Sequence, residues 1–181
     1  MREKTRYIHR WTSAYQKYAA LWTSDQRSWL LDRASLTKRL IRCSKQKFEV
    51  RVSFEGVARL FHHEKKVLKC ASDSAWIREV ELIVDGEIWV FARSAVPLST
   101  LTGDDLKLRH LGNKPLGQLL FSSPRYQRNQ FEVGQTMNKD GQICWGRRSI
   151  FSCMNKQSQS FHKTLLVSET FMPVVFCDHS S

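Results

Sequence analysis

The sequence has 181 residues, with a hydrophobic fraction of 41%, a charged fraction of 25% and a formal net charge of +12. These values are typical of one soluble domain that can bury a core of its own. No hydrophobic run approaches the roughly 18–20 residues needed to span a bilayer, and the basic N-terminus lacks the apolar stretch of a secretory signal. We therefore expect a cytoplasmic protein without an integral membrane segment.

The cysteines and the basic charge exclude further classes. The five cysteines are an odd number and include no C-x-x-C pair. A disulfide framework or a zinc knuckle is therefore not expected, and free thiols fit a reducing cytoplasm. The positive charges are scattered along the chain, and no nucleic-acid-binding motif accompanies them. We therefore expect no nucleic-acid partner.

In chain order, the first predicted segment is a basic extension over residues 1–24, and one domain follows over residues 25–176. The start of this domain has helical character. Ser24 or Asp25 can cap a first helix, and Ser35 can cap a second.

Residues 48–56 alternate between apolar and polar side chains. This pattern is typical of an antiparallel strand with one wet face. The alternation places Phe54 toward the core and Glu55 toward solvent. Residues 57–73 are mixed in character and are predicted as a loop.

The segment WIREVELIVDGEIWVFAR, residues 76–93, predicts a β-hairpin with Asp85 and Gly86 as its two-residue turn. If the pairing is regular from this turn, Arg78 lies directly opposite Arg93 on one mostly apolar face. Like charges in that position destabilise a strand pair. The arrangement therefore requires a functional explanation.

The C-terminal half combines short helices with strands. Thr102 and Asp105 resemble a capping box for a helix that runs to about Leu111, and Pro115 can begin another. Three strands follow, namely QFEVGQ, ICWGRRSIFSC (143–153) and HKTLLVSETFMP (162–173), with a hairpin loop at 155–160 between the last two. Adjacent antiparallel strands with few helices between them predict an α+β domain with helices on one face of the sheet.

A second charged residue, Glu169, falls on the more apolar face of the last strand. A buried carboxylate is costly unless it is paired or hydrogen-bonded. One interpretation is a structural salt bridge to an inward arginine. The other is a polar pocket lined by Arg78, Arg93 and Glu169. In WGRRS, the pattern points Arg147 inward and Arg148 to the other face.

Known catalytic motifs do not narrow the function further. The sequence has no phosphate-binding loop, no G-x-S-x-G turn and no paired zinc histidines. The residues by themselves therefore predict a small anion-binding α+β domain.

Five blocks of the sequence carry a resemblance to a known family. The blocks are WLLDRASLTKRL, WIREVELIVDGEIWVFARSAVPLSTL, LGNKPLGQLLF, WGRRS and LLVSETFMP. Together, over residues 28–176 and in the same order, they are similar to chorismate pyruvate-lyase. That enzyme makes 4-hydroxybenzoate and pyruvate from chorismate for ubiquinone synthesis. The resemblance implies a six-stranded antiparallel sheet whose helices cover a buried ligand site.

The resemblance also implies site residues. Arg78 matches the arginine of the W-[LI]-R-E motif, and Glu169 matches the glutamate of E-x-F-x-P. Leu116 matches the leucine of P-L-G, whose backbone can bind a carboxylate. Leu36 takes the contact position before T-K-R, where a methionine is common. Arg93 matches the arginine of A-R-x-x-x-P.

The resemblance implies a role for each of these residues. Chorismate carries two carboxylates, so a dianion between two arginines would explain the predicted pairing. Arg78 and the Leu116 backbone would bind the ring carboxylate, Arg93 the enolpyruvyl carboxylate, and Glu169 the ring hydroxyl. Arg78 and Glu169 are the predicted catalytic residues.

The expected protein is a monomeric carbon–oxygen lyase that uses no cofactor and no metal. Its expected ligands are the substrate chorismate and the product 4-hydroxybenzoate. The alternative is a non-enzymatic, small-anion-binding effector domain of related fold. In transcription regulators such domains follow a DNA-binding module of roughly 60–70 residues, and only about 25 residues precede the domain here.

Overall fold

The computed structural model describes residues 10–12, 16–137, 142–154 and 161–177. Its centre is one antiparallel sheet of seven strands in the order β1-β5-β6-β7-β4-β3-β2. The strands are β1 (Arg10–Thr12), β2 (Phe48–Arg59), β3 (Ser74–Val84), β4 (Glu87–Pro97), β5 (Tyr126–Met137), β6 (Ile143–Met154) and β7 (Phe161–Phe171).

The predicted α+β class is confirmed, but the predicted count of six strands is wrong. The seventh strand is β1, whose three residues pair with β5 and extend the sheet beyond β6. This strand lies inside the segment predicted as an N-terminal extension. Three residues carry too little alternation to be recognised as a strand. The hairpin loop predicted at 155–160 lies outside the described residues.

Five α-helices accompany the sheet in the described part of the chain. They are α1 (Gln16–Ala19), α2 (Ser24–Leu31), α3 (Leu36–Cys43), α4 (His62–Leu68) and α5 (Leu116–Ser122). Short 3₁₀ helices cover Leu98–Thr100, Gly103–Arg109 and Pro173–Phe176. No helix in the described ranges is long and apolar enough to cross a membrane.

Several helix predictions need correction. The cap of α2 is Thr23, which forms a capping box with Gln26, so both predicted caps lie one or two residues too late. The predicted cap of α3 is confirmed, because the Ser35 side chain accepts a hydrogen bond from the Lys38 amide. The segment after Thr102 is a 3₁₀ helix without a side-chain cap. The carboxylate of Asp105 binds Arg125, Lys163 and Tyr126 instead.

Helices cover both faces of the sheet. We call the face that carries Arg78 and Glu169 the cavity face. Helices α2 and α3 pack against it through Trp29, Leu30 and Leu40, which share a core cluster with sheet residues such as Val80, Leu82, Val90 and Phe171. Helix α4, in the stretch predicted as a loop, packs on the opposite face, where Leu68 belongs to the same core cluster as Ile77 and Leu166. The prediction that helices cover one face only is therefore wrong.

A β-bulge at Trp89 divides the hairpin into two registers. The predicted turn is confirmed, since Asp85 and Gly86 both have positive φ, at 50° and 86°. Ile83 pairs with Ile88, but Leu82 pairs with Val90. An extra residue in one strand turns every side chain beyond it to the other face.

A second bulge lies in β2 at Ser53. Val52 pairs with Val80, whereas Phe54 pairs with Glu79 and Glu55 with Arg78. The alternation predicted for this strand therefore holds only as far as Val52. Beyond the bulge, Glu55 joins Arg78 on the cavity face, and Phe54 packs with the core of the opposite face.

Candidate active site

A cavity lies between the cavity face of the sheet and helices α3 and α5. Three charged side chains line it, namely Arg78 on β3, Arg128 on β5 and Glu169 on β7. The remaining wall is mostly apolar and includes Leu36, Val50, Val80, Leu82, Ala92, Leu116, Leu120, Phe121, Phe151 and Val167. A few polar groups in an apolar cavity are the usual composition of a small-molecule site.

Arg78 is 3% exposed and is held by three acceptors. Its Nη1 donates to Glu55 Oε1 at 2.9 Å. Its Nη2 donates to the carbonyl oxygens of Gly112 and Lys114, at 2.7 and 3.2 Å. Among the described residues, Nε has no hydrogen-bond acceptor. The guanidinium is therefore fixed in orientation, and two of its five N–H donors, one on Nε and one on Nη1, are left for a ligand.

Glu169 forms a structural salt bridge and also lines the polar cavity, so both interpretations drawn from the sequence apply to it. Arg147, which is fully buried, donates from Nε to Glu169 Oε2 at 2.5 Å. Arg147 is itself held by the carbonyl oxygens of Trp29 and Asp32, at 3.0 and 2.5 Å. Glu169 Oε1 accepts no hydrogen bond from any residue in the described ranges. One oxygen is therefore a structural partner, and the other is available to a ligand.

Leu36 and Leu116 are the first residues of α3 and α5, and both line the cavity. The first amides of a helix have no acceptor within the helix, so the Leu116 N–H is available. The two helices approach closely at Gly117, where an added Cβ would lie 3.3 Å from Thr37 Oγ1. A side chain at this position would therefore be in tight contact with Thr37.

The predicted pairing of Arg78 with Arg93 is wrong. Because of the bulge at Trp89, Arg78 lies opposite Ser94, and Arg93 lies opposite Glu79 on the other face. There Arg93 donates to Glu64 from Nε at 2.7 Å and to Glu79 from Nη1 at 2.6 Å. Burial alone would lower the pKa of Arg93, but these hydrogen bonds raise it above its ordinary value.

The structure thus brings four of the five predicted site residues, Leu36, Arg78, Leu116 and Glu169, to one cavity and places Arg93 elsewhere. Glu55 and Arg128 were not predicted as site residues. The regular alternation of β2 placed Glu55 on the solvent face, whereas the bulge at Ser53 turns it to the cavity face. Arg128 lies just before a further bulge, between Arg128 and Phe131, in a polar segment without alternation.

The cavity can bind a small polar ring in one orientation. An arginine donor lies at one wall and a carboxylate acceptor at another, with apolar surface between them. A planar acid with a hydroxyl group would satisfy both groups. Within the part of the chain that the structure describes, no cluster of His, Cys, Asp or Glu is placed to bind a metal ion.

Fold and cavity together define a single-domain α+β protein that presents arginine and glutamate side chains to a small ligand. The family model for chorismate lyase matches residues 11–180. The chain belongs to the chorismate lyase family, a family of lyases, and the resemblance found in the sequence is confirmed.

Curated relatives agree with this assignment. The chain is 38% identical over 160 residues to a probable chorismate pyruvate-lyase of Methylococcus capsulatus, covering 82% of this chain and 94% of the relative. It is 38% identical to a probable chorismate pyruvate-lyase of Marinobacter nauticus, covering 83% and 77% of the two chains. It is 35% identical to a chorismate pyruvate-lyase of Erwinia tasmaniensis, covering 84% and 81%.

Solved structures resemble the fold at low sequence identity. A transcriptional regulator of the GntR family from Bacillus cereus superposes with a TM-score of 0.52 at 6% identity, covering 75% of this chain and 99% of the regulator. A gene product of Staphylococcus aureus gives 0.53 at 12%, covering 78% and 89%. At such identities the likeness concerns the fold alone and gives no support to an effector-binding function.

Proposed function

We propose that this protein is a chorismate pyruvate-lyase that converts chorismate to 4-hydroxybenzoate and pyruvate. The observation that carries the proposal is the placement of Arg78, the Leu116 amide and the open oxygen of Glu169 around one cavity. The names of the curated relatives supply the reaction. The product, a benzoate with a hydroxyl group opposite its carboxylate, matches these three groups.

In this proposal the ring carboxylate binds the free Nε of Arg78 and the Leu116 amide. Glu55 and the two loop carbonyls hold the guanidinium in place, so binding costs little side-chain entropy. The ring hydroxyl donates to Glu169 Oε1. Arg147 holds the other oxygen of that carboxylate and keeps the group oriented.

The reaction breaks the ether bond between ring carbon C3 and the enolpyruvyl oxygen. The electron pair of the C4–H bond forms the new ring double bond, and the departing oxygen becomes the keto oxygen of pyruvate. The C4 hydrogen reaches the enolpyruvyl methylene by one of two routes. It passes directly within the substrate, or Glu169 accepts it as a base and returns it.

The gain in aromatic stabilisation drives the elimination. The protein therefore needs to orient the substrate and to stabilise charge on the departing group, which are the tasks that fixed, buried arginines perform well. 4-Hydroxybenzoate keeps the contacts to Arg78, Leu116 and Glu169, so we expect it to bind tightly. Its release is then a candidate for the slow step of turnover.

The same proposal includes a role in ubiquinone synthesis and a cytoplasmic, monomeric protein. Among the described residues, Cys43, Cys70, Cys144 and Cys177 form no disulfide, which fits a reducing compartment.

The test is an assay of purified protein with chorismate, without added metal or nucleotide. We expect stoichiometric 4-hydroxybenzoate and pyruvate, with the same rate in the presence of a chelator. If excess enzyme produces no 4-hydroxybenzoate after prolonged incubation, while the protein binds benzoates, the effector-domain alternative is correct instead.

A further inference from the structure

Arg128 differs from the other enclosed arginines of the sheet. Arg78, Arg93, Arg147 and Arg148 each form an ion pair with a glutamate. Across the described residues, Arg128 forms an ion pair with no carboxylate. Its Nη1 donates to the Arg33 carbonyl at 3.1 Å, and its Nε is buried without an acceptor.

The surroundings of Arg128 are apolar. Its guanidinium lies over three phenyl rings, with its central carbon 4.9 Å from the centroid of Phe121, 5.3 Å from Phe151 and 5.9 Å from Phe131. Burial in this environment lowers the pKa of Arg128 to about 10. The group is still charged at neutral pH, so the structure retains a cation where desolvation opposes one.

Arg128 lines the same cavity as Arg78 and Glu169. The charges of those two residues are already balanced, Arg78 by Glu55 and Glu169 by Arg147. Arg128 therefore contributes a positive charge that forms no ion pair with a described carboxylate, and Glu169 and Asp32 favour it only through longer-range attraction. An unbalanced cation with an unsatisfied N–H in a ligand cavity is suited to an anionic group on the ligand.

We propose that Arg128 binds the second carboxylate of a dianionic substrate, the one on the enolpyruvyl side chain. This inference rests on the proposed function and assigns to Arg128 the role that the sequence had given to Arg93. The ring carboxylate then binds at Arg78 and the side-chain carboxylate at Arg128. When the ether bond breaks, Arg128 also stabilises the negative charge that moves onto the departing group.

This assignment separates substrate from product. Chorismate has both carboxylates, whereas 4-hydroxybenzoate has only the ring carboxylate. Loss of Arg128 should therefore weaken recognition of the substrate and leave product binding nearly unchanged. Loss of Arg78 should weaken both.

The test uses Arg128→Gln and Arg128→Met, with Arg33→Gln as the matched control. Arg33 is exposed, and its positive charge lies close enough to lower the pKa of Arg128. The substitution keeps the backbone carbonyl of residue 33, which accepts the hydrogen bond from Arg128. The methionine variant fills the space among the three rings without a charge. Thermal melts establish that each variant is folded.

Two ligand pairs provide the readout. The first comparison is the change in kcat/KM for chorismate with the change in Kd for 4-hydroxybenzoate in each variant. The second is the Kd for 3-(carboxymethoxy)benzoate against that for 3-methoxybenzoate, which differ by the side-chain carboxylate. We expect kcat/KM to fall about 10- to 100-fold in both Arg128 variants. The preference for the dicarboxylate should disappear, while 4-hydroxybenzoate binding changes less than about threefold.

Equal losses for chorismate and 4-hydroxybenzoate would assign Arg128 to the ring carboxylate and overturn the inference. Unchanged turnover and an unchanged dicarboxylate preference would overturn it as well. Failure of the proposed function is distinguishable, because it appears as absent turnover in the wild-type protein. The benzoate pair can be measured in that case too.

Discussion

In the proposed function, Arg78 is the residue on which ligand binding depends most directly. Its guanidinium is fixed by Glu55 and by two carbonyl oxygens, so its remaining N–H donors point in defined directions. A lysine at this position would present a mobile ammonium that cannot satisfy the same set of acceptors. The geometry, and not only the charge, is therefore needed.

Arg78→Ala is expected to weaken 4-hydroxybenzoate binding about 10- to 100-fold and to reduce kcat/KM by at least as much. Arg78→Lys should not restore either value. Arg51→Ala is the control, because it removes an arginine that pairs with Glu81 across the same two strands but at the surface. Binding of 4-hydroxybenzoate is measured by calorimetry. An unaltered affinity in Arg78→Ala would exclude Arg78 from the ligand site.

Glu169 can be compared with a close structural counterpart. The pairs Arg147–Glu169 and Arg148–Glu132 join neighbouring strands, both at 2.5 Å, and both glutamates are 12% exposed. They differ in the face on which they lie, and only Glu169 lines the cavity. Glu132→Gln is therefore a matched control for Glu169→Gln.

In Glu169→Gln we expect a fall in turnover and loss of the preference for 4-hydroxybenzoate over benzoate, because the hydroxyl loses a charged acceptor. Glu132→Gln should leave both properties unchanged. Ligand titrations and thermal melts of both variants are the measurements. A Glu169→Gln protein that melts early but keeps its ligand preference would leave Glu169 as a structural partner only.

Among the secondary-structure elements, α4 depends on one buried ion pair for its position. Glu64 on this helix is 1% exposed and accepts two hydrogen bonds from Arg93 on β4, at 2.7 and 3.0 Å. The helix is short and carries few buried side chains of its own. The pair therefore fixes α4 against the sheet, on the face away from the cavity.

Arg93→Ala is expected to destabilise the protein by about 3–5 kcal/mol, because Glu64 remains buried without its partner. Denaturant unfolding measures this value. Adding Glu64→Gln should recover part of the loss, and Glu79→Gln alone should have a small effect, since Glu79 is 34% exposed. If Arg93→Ala is fully stable and loses chorismate turnover alone, Arg93 has the substrate role that its sequence motif implied.

At the scale of the whole molecule, the sequence predicted the class, the hairpin and most strands, because alternation and turn chemistry are local properties. It did not predict the bulges at Ser53 and Trp89. Both residues are compatible with a regular strand, and only packing on the two faces selects the extra residue. For this reason the register inferred from the turn paired Arg78 with Arg93 incorrectly, and of these two arginines only Arg78 lies in the cavity.

Stability in acid should depend on Asp105, which ties the 3₁₀ segment to β5 and β7. Burial opposes its ionisation, but hydrogen bonds from Arg125, Lys163 and Tyr126 lower its pKa below the usual 3.8. Its contribution is therefore complete above pH 4 and is lost as the pH falls through the lowered pKa.

Asp105→Asn should lower the free energy of unfolding at pH 7 by about 3–5 kcal/mol, because it removes the charge from a buried network. Below pH 4 the difference from the wild-type protein should shrink. Unfolding curves recorded between pH 2 and 7 test this. Asp73→Asn is the control, since Asp73 is exposed and its ion pairs are screened by solvent. A difference that stays constant across this range would contradict the assignment.

The bulge at Trp89 has a consequence for how this chain tolerates changes in length. Trp89 and Val90 both pack into the same core cluster, so β4 contains one residue more than a regular hairpin needs. Deleting a single residue between the turn and Arg93 would restore the regular pairing and turn the Arg93 side chain to the cavity face. A one-residue insertion or deletion in this strand therefore changes which charged side chain faces the cavity, as a charge substitution would. A sequence alignment that matches residue types alone does not reveal this change.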